Sequence, residues 1–90
     1  MSITDAEIEM LKNIERIPIN VEEKDIATLK EMYKKAYYTK QMARLRLNLY
    51  QGKRYNMLCE EIKVELKKRI VETGEKELNV FFDQIHRSYR

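Results

Sequence analysis

Glycine and proline are nearly absent from this chain, and this limits the folds available to it more than any other feature. The 90 residues include two glycines and one proline, and neither type occurs between Ile19 and Gln51. A protein made of short strands needs many turns, and turns depend on glycine and proline. Residues that favour helices, such as Glu, Lys, Leu and Arg, are abundant instead. The chain is therefore predicted to be all-α.

Helix boundaries follow from capping signals and from the few helix breakers. Thr4 and Glu7 have the spacing of a capping box, and Pro18 ends the helix that they would start. Asn20 is the expected N-cap of a long second helix, and Gly52 is its natural C′ residue. The predicted helices span about residues 5–16, 21–51, 54–73 and 76–88. One domain over residues 1–90 is expected, as a compact antiparallel bundle of three to four helices with one long central helix.

The long second helix carries apolar residues on two sides. Projected at 100° per residue, one stripe faces the expected core, and a second lies roughly opposite. The second stripe consists of Tyr38, Met42, Leu45 and Leu49. A chain of 90 residues buries only a modest core. We therefore expect this stripe to bind a protein partner, or a second copy in a dimer, unless it is internal to the bundle.

Positive charge is concentrated in the middle of the chain. Residues 32–59 contain seven Lys or Arg and no Asp or Glu. Residues 1–31 hold eight acids and four bases, and residues 60–90 hold seven of each, so the middle segment carries the whole excess. Clustered bases attract phosphates and release their counterions. The predicted nucleic-acid-binding residues are Lys35, Arg44, Arg46, Lys53 and Arg54.

The alternative is that the acidic first segment offsets this positive charge within the fold. A helix over 5–16 that packs against the second helix would bring acids next to its bases. That helix would be about 18 Å long against about 45 Å for its neighbour. The bases from Arg44 to Arg54 would then have no acidic partner from this source.

Residues that could carry out catalysis are scarce. Cys59 and His86 are the single cysteine and the single histidine, and they lie far apart in the sequence. Cys59 falls on the apolar stripe of the third predicted helix, so we expect it in the core. Asp83 and His86 have the spacing of one half of a helical di-metal site, but a second copy needs another histidine. We expect no catalytic residues, no metal site and no cofactor.

The stretch EKELNVFF, from Glu75 to Phe82, resembles the peptide by which replication and repair proteins engage sliding clamps. Leu78, Phe81 and Phe82 match the aliphatic and aromatic positions of that peptide, and Glu75 stands where Gln is usual. The resemblance implies that Phe81 and Phe82 contact a partner. Packing of the same residues into the core as one helix face is the alternative.

The sequence predicts a cytoplasmic protein. The first residues are polar and acidic, unlike a signal peptide, and no apolar run reaches 18 residues. A single cysteine fits a reducing compartment. A basic amphipathic helix could lie on a membrane, but two apolar stripes fit that mode poorly, so no membrane partner is expected.

Binding rather than catalysis is therefore the predicted function. The leading hypothesis is a non-enzymatic accessory or regulatory subunit of nucleic-acid machinery, such as a replication or transcription complex, that acts through its basic face. The alternative is a protein-interaction module, an adaptor or inhibitor that could be homodimeric, with no nucleic-acid contact.

Overall fold

A computed structural model describes residues 14–70 and 74–88. These residues form a 3₁₀ turn, Val21–Glu23, and three α-helices: α1, Ile26–Leu45; α2, Leu49–Arg69; and α3, Glu75–Ser88. They contain no β-strand, which confirms the all-α prediction for this part of the chain. The helix predicted over 5–16 lies mostly outside the described residues, and its last residues, 14–16, are irregular.

The start of α1 is set by Asp25. Its side-chain Oδ1 accepts the Thr28 N–H at 2.7 Å, which is the usual N-cap hydrogen bond. The predicted cap, Asn20, instead accepts the Glu22 N–H at 3.2 Å and caps the 3₁₀ turn. The helix therefore begins at Ile26 and not at residue 21 as predicted.

A Schellman motif ends α1. The Asn48 N–H donates to the Ala43 carbonyl at 2.8 Å, and the Leu47 N–H donates to the Arg44 carbonyl at 3.1 Å. Leu47 has a φ of 58°, which is the left-handed conformation that this motif requires at C′. The chain then reverses direction directly after Leu45, within a short connection.

The same connection starts α2. Asn48 Oδ1 accepts the Gln51 N–H at 3.2 Å, so Asn48 serves both the end of α1 and the N-cap of α2. Gly52, the predicted terminator, lies inside α2 and is buried. The prediction of one long central helix over 21–51 is therefore wrong, because two helices and a turn occupy that segment.

Helices α1 and α2 form an antiparallel hairpin. Lys40 Nζ lies 3.3 Å from Asn56 Oδ1 near the connection, and at the far end Arg69 donates to the Lys24 carbonyl. The 3₁₀ turn and the three helices share one buried cluster. Its members are Val21, Leu29, Tyr33, Ala36, Leu58, Cys59, Ile62, Leu66, Leu78, Phe82 and Ile85.

Helix α3 packs on one side of the hairpin and runs in the same direction as α1. Tyr33 meets Phe82 with ring centroids 4.9 Å apart, and further along both helices Tyr37 stacks on His86 at 4.8 Å. Lys63 of α2 also lies over the Phe82 ring, 5.6 Å from its centroid. The three helices thus alternate in direction.

Residues 14–25 cover the opposite side of the hairpin. Arg54 Nε donates to the Glu15 carbonyl at 3.0 Å, and Arg16 forms an ion pair with Glu61. Glu61 and Lys63 are two residues apart, so they project from opposite sides of α2. This segment, which we call the strap, therefore lies across α2 from α3.

Candidate functional site

A groove lies between α1 and α2 next to their connection. Its volume is about 280 Å³, and we call it the tip groove. The residues that line it are Lys40, Arg44, Leu49, Gly52, Lys53 and Asn56. It lies on the same side of the hairpin as α3, because Asn56 and Lys63 are seven residues apart and so share a side of α2.

The floor of the tip groove depends on Gly52. This residue lies in the first turn of α2, where it faces α1 and has no side chain to fill the space. A Cβ atom at Gly52 would lie 3.6 Å from Cγ of Arg44, in ordinary van der Waals contact. The aliphatic stem of Arg44 therefore passes close to the Gly52 backbone.

The lining of the tip groove is positively charged. It contains three basic residues and no carboxylate. Lys40 Nζ contacts Asn56 Oδ1 and lies 4.5 Å from the Tyr37 ring centroid, so it is held in place by neutral groups. The ion pairs between described residues are Arg16 with Glu61, and Glu65 with Lys68 and Arg69. No described carboxylate therefore forms an ion pair with a base of the groove.

The structure separates the five predicted nucleic-acid-binding residues. It brings Arg44 and Lys53 together in the tip groove. Arg46 lies in the connection and is exposed. Lys35 is exposed but lies nine residues before Arg44, on the opposite side of α1. Arg54 faces the strap, where it donates to the Glu15 carbonyl, so it does not belong to the groove.

Sequence reasoning missed three residues of the tip groove: Lys40, Gly52 as its floor, and Asn56. Lys40 was detectable, because it precedes Arg44 by four residues and so shares its side of α1. Asn56 and Gly52 become neighbours of α1 only after the chain reverses at the connection. The predicted continuous helix over 21–51 has no such reversal, so it does not bring these residues close to α1.

Leucines surround the connection and are unusually exposed. Leu45 is 76% exposed, Leu47 59% and Leu49 41%, and we call these three residues the leucine tip. Leu45 and Leu49 were predicted partner-binding residues, and both lie at the surface. Of the other two in that stripe, Tyr38 is about half exposed and Met42 is partly buried. Leu47 was missed, because it falls on the other stripe of the predicted long helix, the one expected to face the core.

The aromatic pair of α3 serves the core. Phe82 is 4% exposed, and its ring packs edge-on against Tyr33. Leu78 is also buried, and Phe81 is partly buried against the same cluster. The prediction that Phe82 contacts a partner is wrong for this fold, because its ring is covered by α1. The residues that match a clamp-binding peptide, Leu78, Phe81 and Phe82, lie on the core-facing side of α3.

The remaining candidate for chemistry is Cys59, which is buried in the core. Burial raises the pKa of its thiol to about 11, so the thiol stays protonated at neutral pH and is a poor nucleophile. Within residues 14–70 and 74–88, no three His, Cys, Asp or Glu side chains are grouped so as to hold a metal ion. No helix in these ranges is long and apolar enough to cross a membrane.

Comparison of the chain with models of known protein families, with curated proteins and with solved structures gave no match.

Proposed function

We propose that this chain is a non-enzymatic binding protein that contacts nucleic-acid phosphates through the tip groove, as an accessory or regulatory subunit of a replication or transcription complex. The observation that supports this proposal is the lining of the groove, which gathers Lys40, Arg44 and Lys53 without a carboxylate. Grooves with this charge attract phosphate backbones, and arginine can bind a phosphate through two parallel hydrogen bonds.

The number of bases sets the expected strength of binding. Three bases can neutralise about three phosphates, which predicts a slope of log K against log salt of about −2.7 on duplex DNA and about −2.1 on single strands. Three phosphate contacts contribute little electrostatic free energy of binding, so we expect the chain alone to bind weakly and to depend on a larger complex for affinity. This fits an accessory subunit better than a protein that finds its site alone.

Fluorescence anisotropy with labelled single-stranded DNA, duplex DNA and RNA tests the proposal. We expect binding at about 50 mM salt that weakens along the slopes given above. The probe that binds most tightly identifies the preferred nucleic acid. Absence of binding to all three probes at this salt concentration would contradict the proposal.

A double substitution locates the binding surface. Arg44→Gln with Lys53→Gln removes two groove charges and should reduce the duplex slope by about 1.8, because two phosphate contacts are lost. The matched control is Lys34→Gln with Lys67→Gln, which removes the same charge from exposed residues outside the groove. Lys67 lies 14 residues along α2 from Lys53, which is about 21 Å. Equal effects of the two double variants would show that the groove is not the binding surface.

A protein-interaction module is the second candidate function. The exposure of Leu45 and Leu47 favours it, since nucleic acids offer little apolar surface to aliphatic side chains. The two functions use adjoining surfaces: Leu49 belongs to both the tip groove and the leucine tip, and Arg44 of the groove precedes Leu45 in the sequence.

A further inference from the structure

Leu47 occupies a backbone position that disfavours leucine. It is the C′ residue of the Schellman motif, and its φ of 58° makes it the one non-glycine residue with positive φ among the described residues. Glycine is usual there, and asparagine is the common substitute, because a Cβ clashes with the carbonyl that follows in the left-handed conformation. Leucine is therefore strained at this position.

The hydrogen bonds of the Schellman motif hold the backbone of Leu47, but within the described fold its side chain makes no buried contact that offsets the strain. The Leu47 side chain is 59% exposed and does not belong to the buried cluster or to the residues packed against it. Its neighbours at the connection, Leu45 and Leu49, are exposed as well. Backbone strain at a side chain that the fold leaves exposed points to a role outside the fold.

We propose that the leucine tip is a docking surface for an acidic amphipathic helix of a protein partner. The three leucines alternate in sequence with Arg44, Arg46 and Asn48, so a surface that covers the leucines also meets two arginines. A helix with an apolar stripe flanked by Glu or Asp supplies both contacts. Leu47 is the central contact, because it lies in the middle of the connection.

The charge of the connection argues against other occupants. Two copies of this chain that met through their leucine tips would place Arg44 and Arg46 of one against the same residues of the other. An anionic bilayer would satisfy the arginines, but the exposed leucines are confined to one end of the hairpin and form no broad apolar face. The proposal does not depend on nucleic-acid binding by the tip groove.

Leu47→Asn separates docking from folding. Asparagine adopts the left-handed conformation readily, so the variant should unfold at a temperature a few degrees above that of the original chain. We expect the same variant to lose at least tenfold in affinity for a synthetic helical peptide that carries leucines on one side and flanking glutamates. The matched control is Val64→Asn, since Val64 is 62% exposed on α2 far from the connection. It should leave peptide affinity unchanged.

Three further measurements exclude the other occupants. A peptide with Lys in place of the flanking Glu should not bind, light scattering should show a monomer, and phosphatidylserine vesicles should not retain the chain.

A lower unfolding temperature for Leu47→Asn would overturn the proposal, because the leucine would then serve the fold. So would unchanged affinity of this variant for the acidic peptide, a dimer lost on the Leu47 substitution, or vesicle binding that depends on Leu47. Loss of nucleic-acid binding alone would overturn only the function proposed for the tip groove.

Discussion

Arg69 ties the strap to the end of α2. Its guanidinium donates to the carbonyls of Val21, Glu22 and Lys24, and its Nε donates to Glu65 Oε1 at 2.8 Å. Glu65 is the one buried charged residue in the described part of the chain. A single side chain therefore donates to three backbone carbonyls of the strap and to a buried carboxylate.

Replacement of Arg69 should be costly. Arg69→Met keeps much of the apolar stem but removes every donor, so we expect the free energy of unfolding to fall by about 3 kcal/mol, as for a buried ion pair that loses one member. Lys68→Met is the control, since Lys68 is exposed and its Nζ lies 3.9 Å from Glu65; it should cost less than about 1 kcal/mol. Urea unfolding of both variants measures the difference. Similar losses for the two would show that Arg69 is not the anchor of the strap.

At the scale of elements, the connection between α1 and α2 depends on Asn48. Its backbone N–H closes the end of α1, and its side chain caps α2. Asn48→Ala removes only the cap and should lower the free energy of unfolding by about 1 kcal/mol. Asn79→Ala is the control, because Asn79 is exposed within α3 and alanine favours helices. If Asn79→Ala destabilises as much as Asn48→Ala in urea unfolding, the side-chain cap does not stabilise the connection.

The same connection shows where sequence reasoning succeeds and where it stops. The helical class follows from the scarcity of glycine and proline, and this local signal was sufficient. The break at residues 46–48 carries no such signal, because Leu47 takes the position where glycine is expected. Asn48 and Gln51 do have the spacing of an N-cap pair. Gly52 nevertheless predicted a helix end at residue 51, so this pair was not recognised as the start of a helix.

The candidate site was also predictable only in part. Arg44 and Lys53 were identified from charge alone, because the acid-free segment contains both. The direction of Arg54 depends on the Glu15 carbonyl, which is distant in sequence and reaches α2 only through the strap. Contacts of this kind are set by tertiary packing and leave no periodic pattern in the sequence.

At the scale of the whole molecule, an aromatic cluster joins α3 to the hairpin. His86 Nε2 lies 2.7 Å from the Tyr33 hydroxyl, and the His86 ring stacks on Tyr37. Burial, and then the positive charges of Lys63 and Lys40, lower the pKa of His86 below its ordinary value, against smaller opposing effects of Asp83 and Glu60. The neutral imidazole is therefore the form that the fold favours.

This preference predicts that acid weakens the attachment of α3. The unfolded chain takes up a proton on His86 near pH 6.5, whereas the folded chain does so only at lower pH. The stabilisation is therefore complete above about pH 6.5 and is lost as the pH falls through the pKa of the folded state.

The unfolding temperature should fall between about pH 7.5 and 5. It should fall less in His86→Gln, because the glutamine amide does not titrate. Asp25 does not interfere, because its hydrogen bonds with Thr28 lower its pKa from the ordinary value of an Asp, which already lies below this pH range. NMR titration of the single histidine measures the pKa directly, and a value at or above 6.5 would refute the prediction.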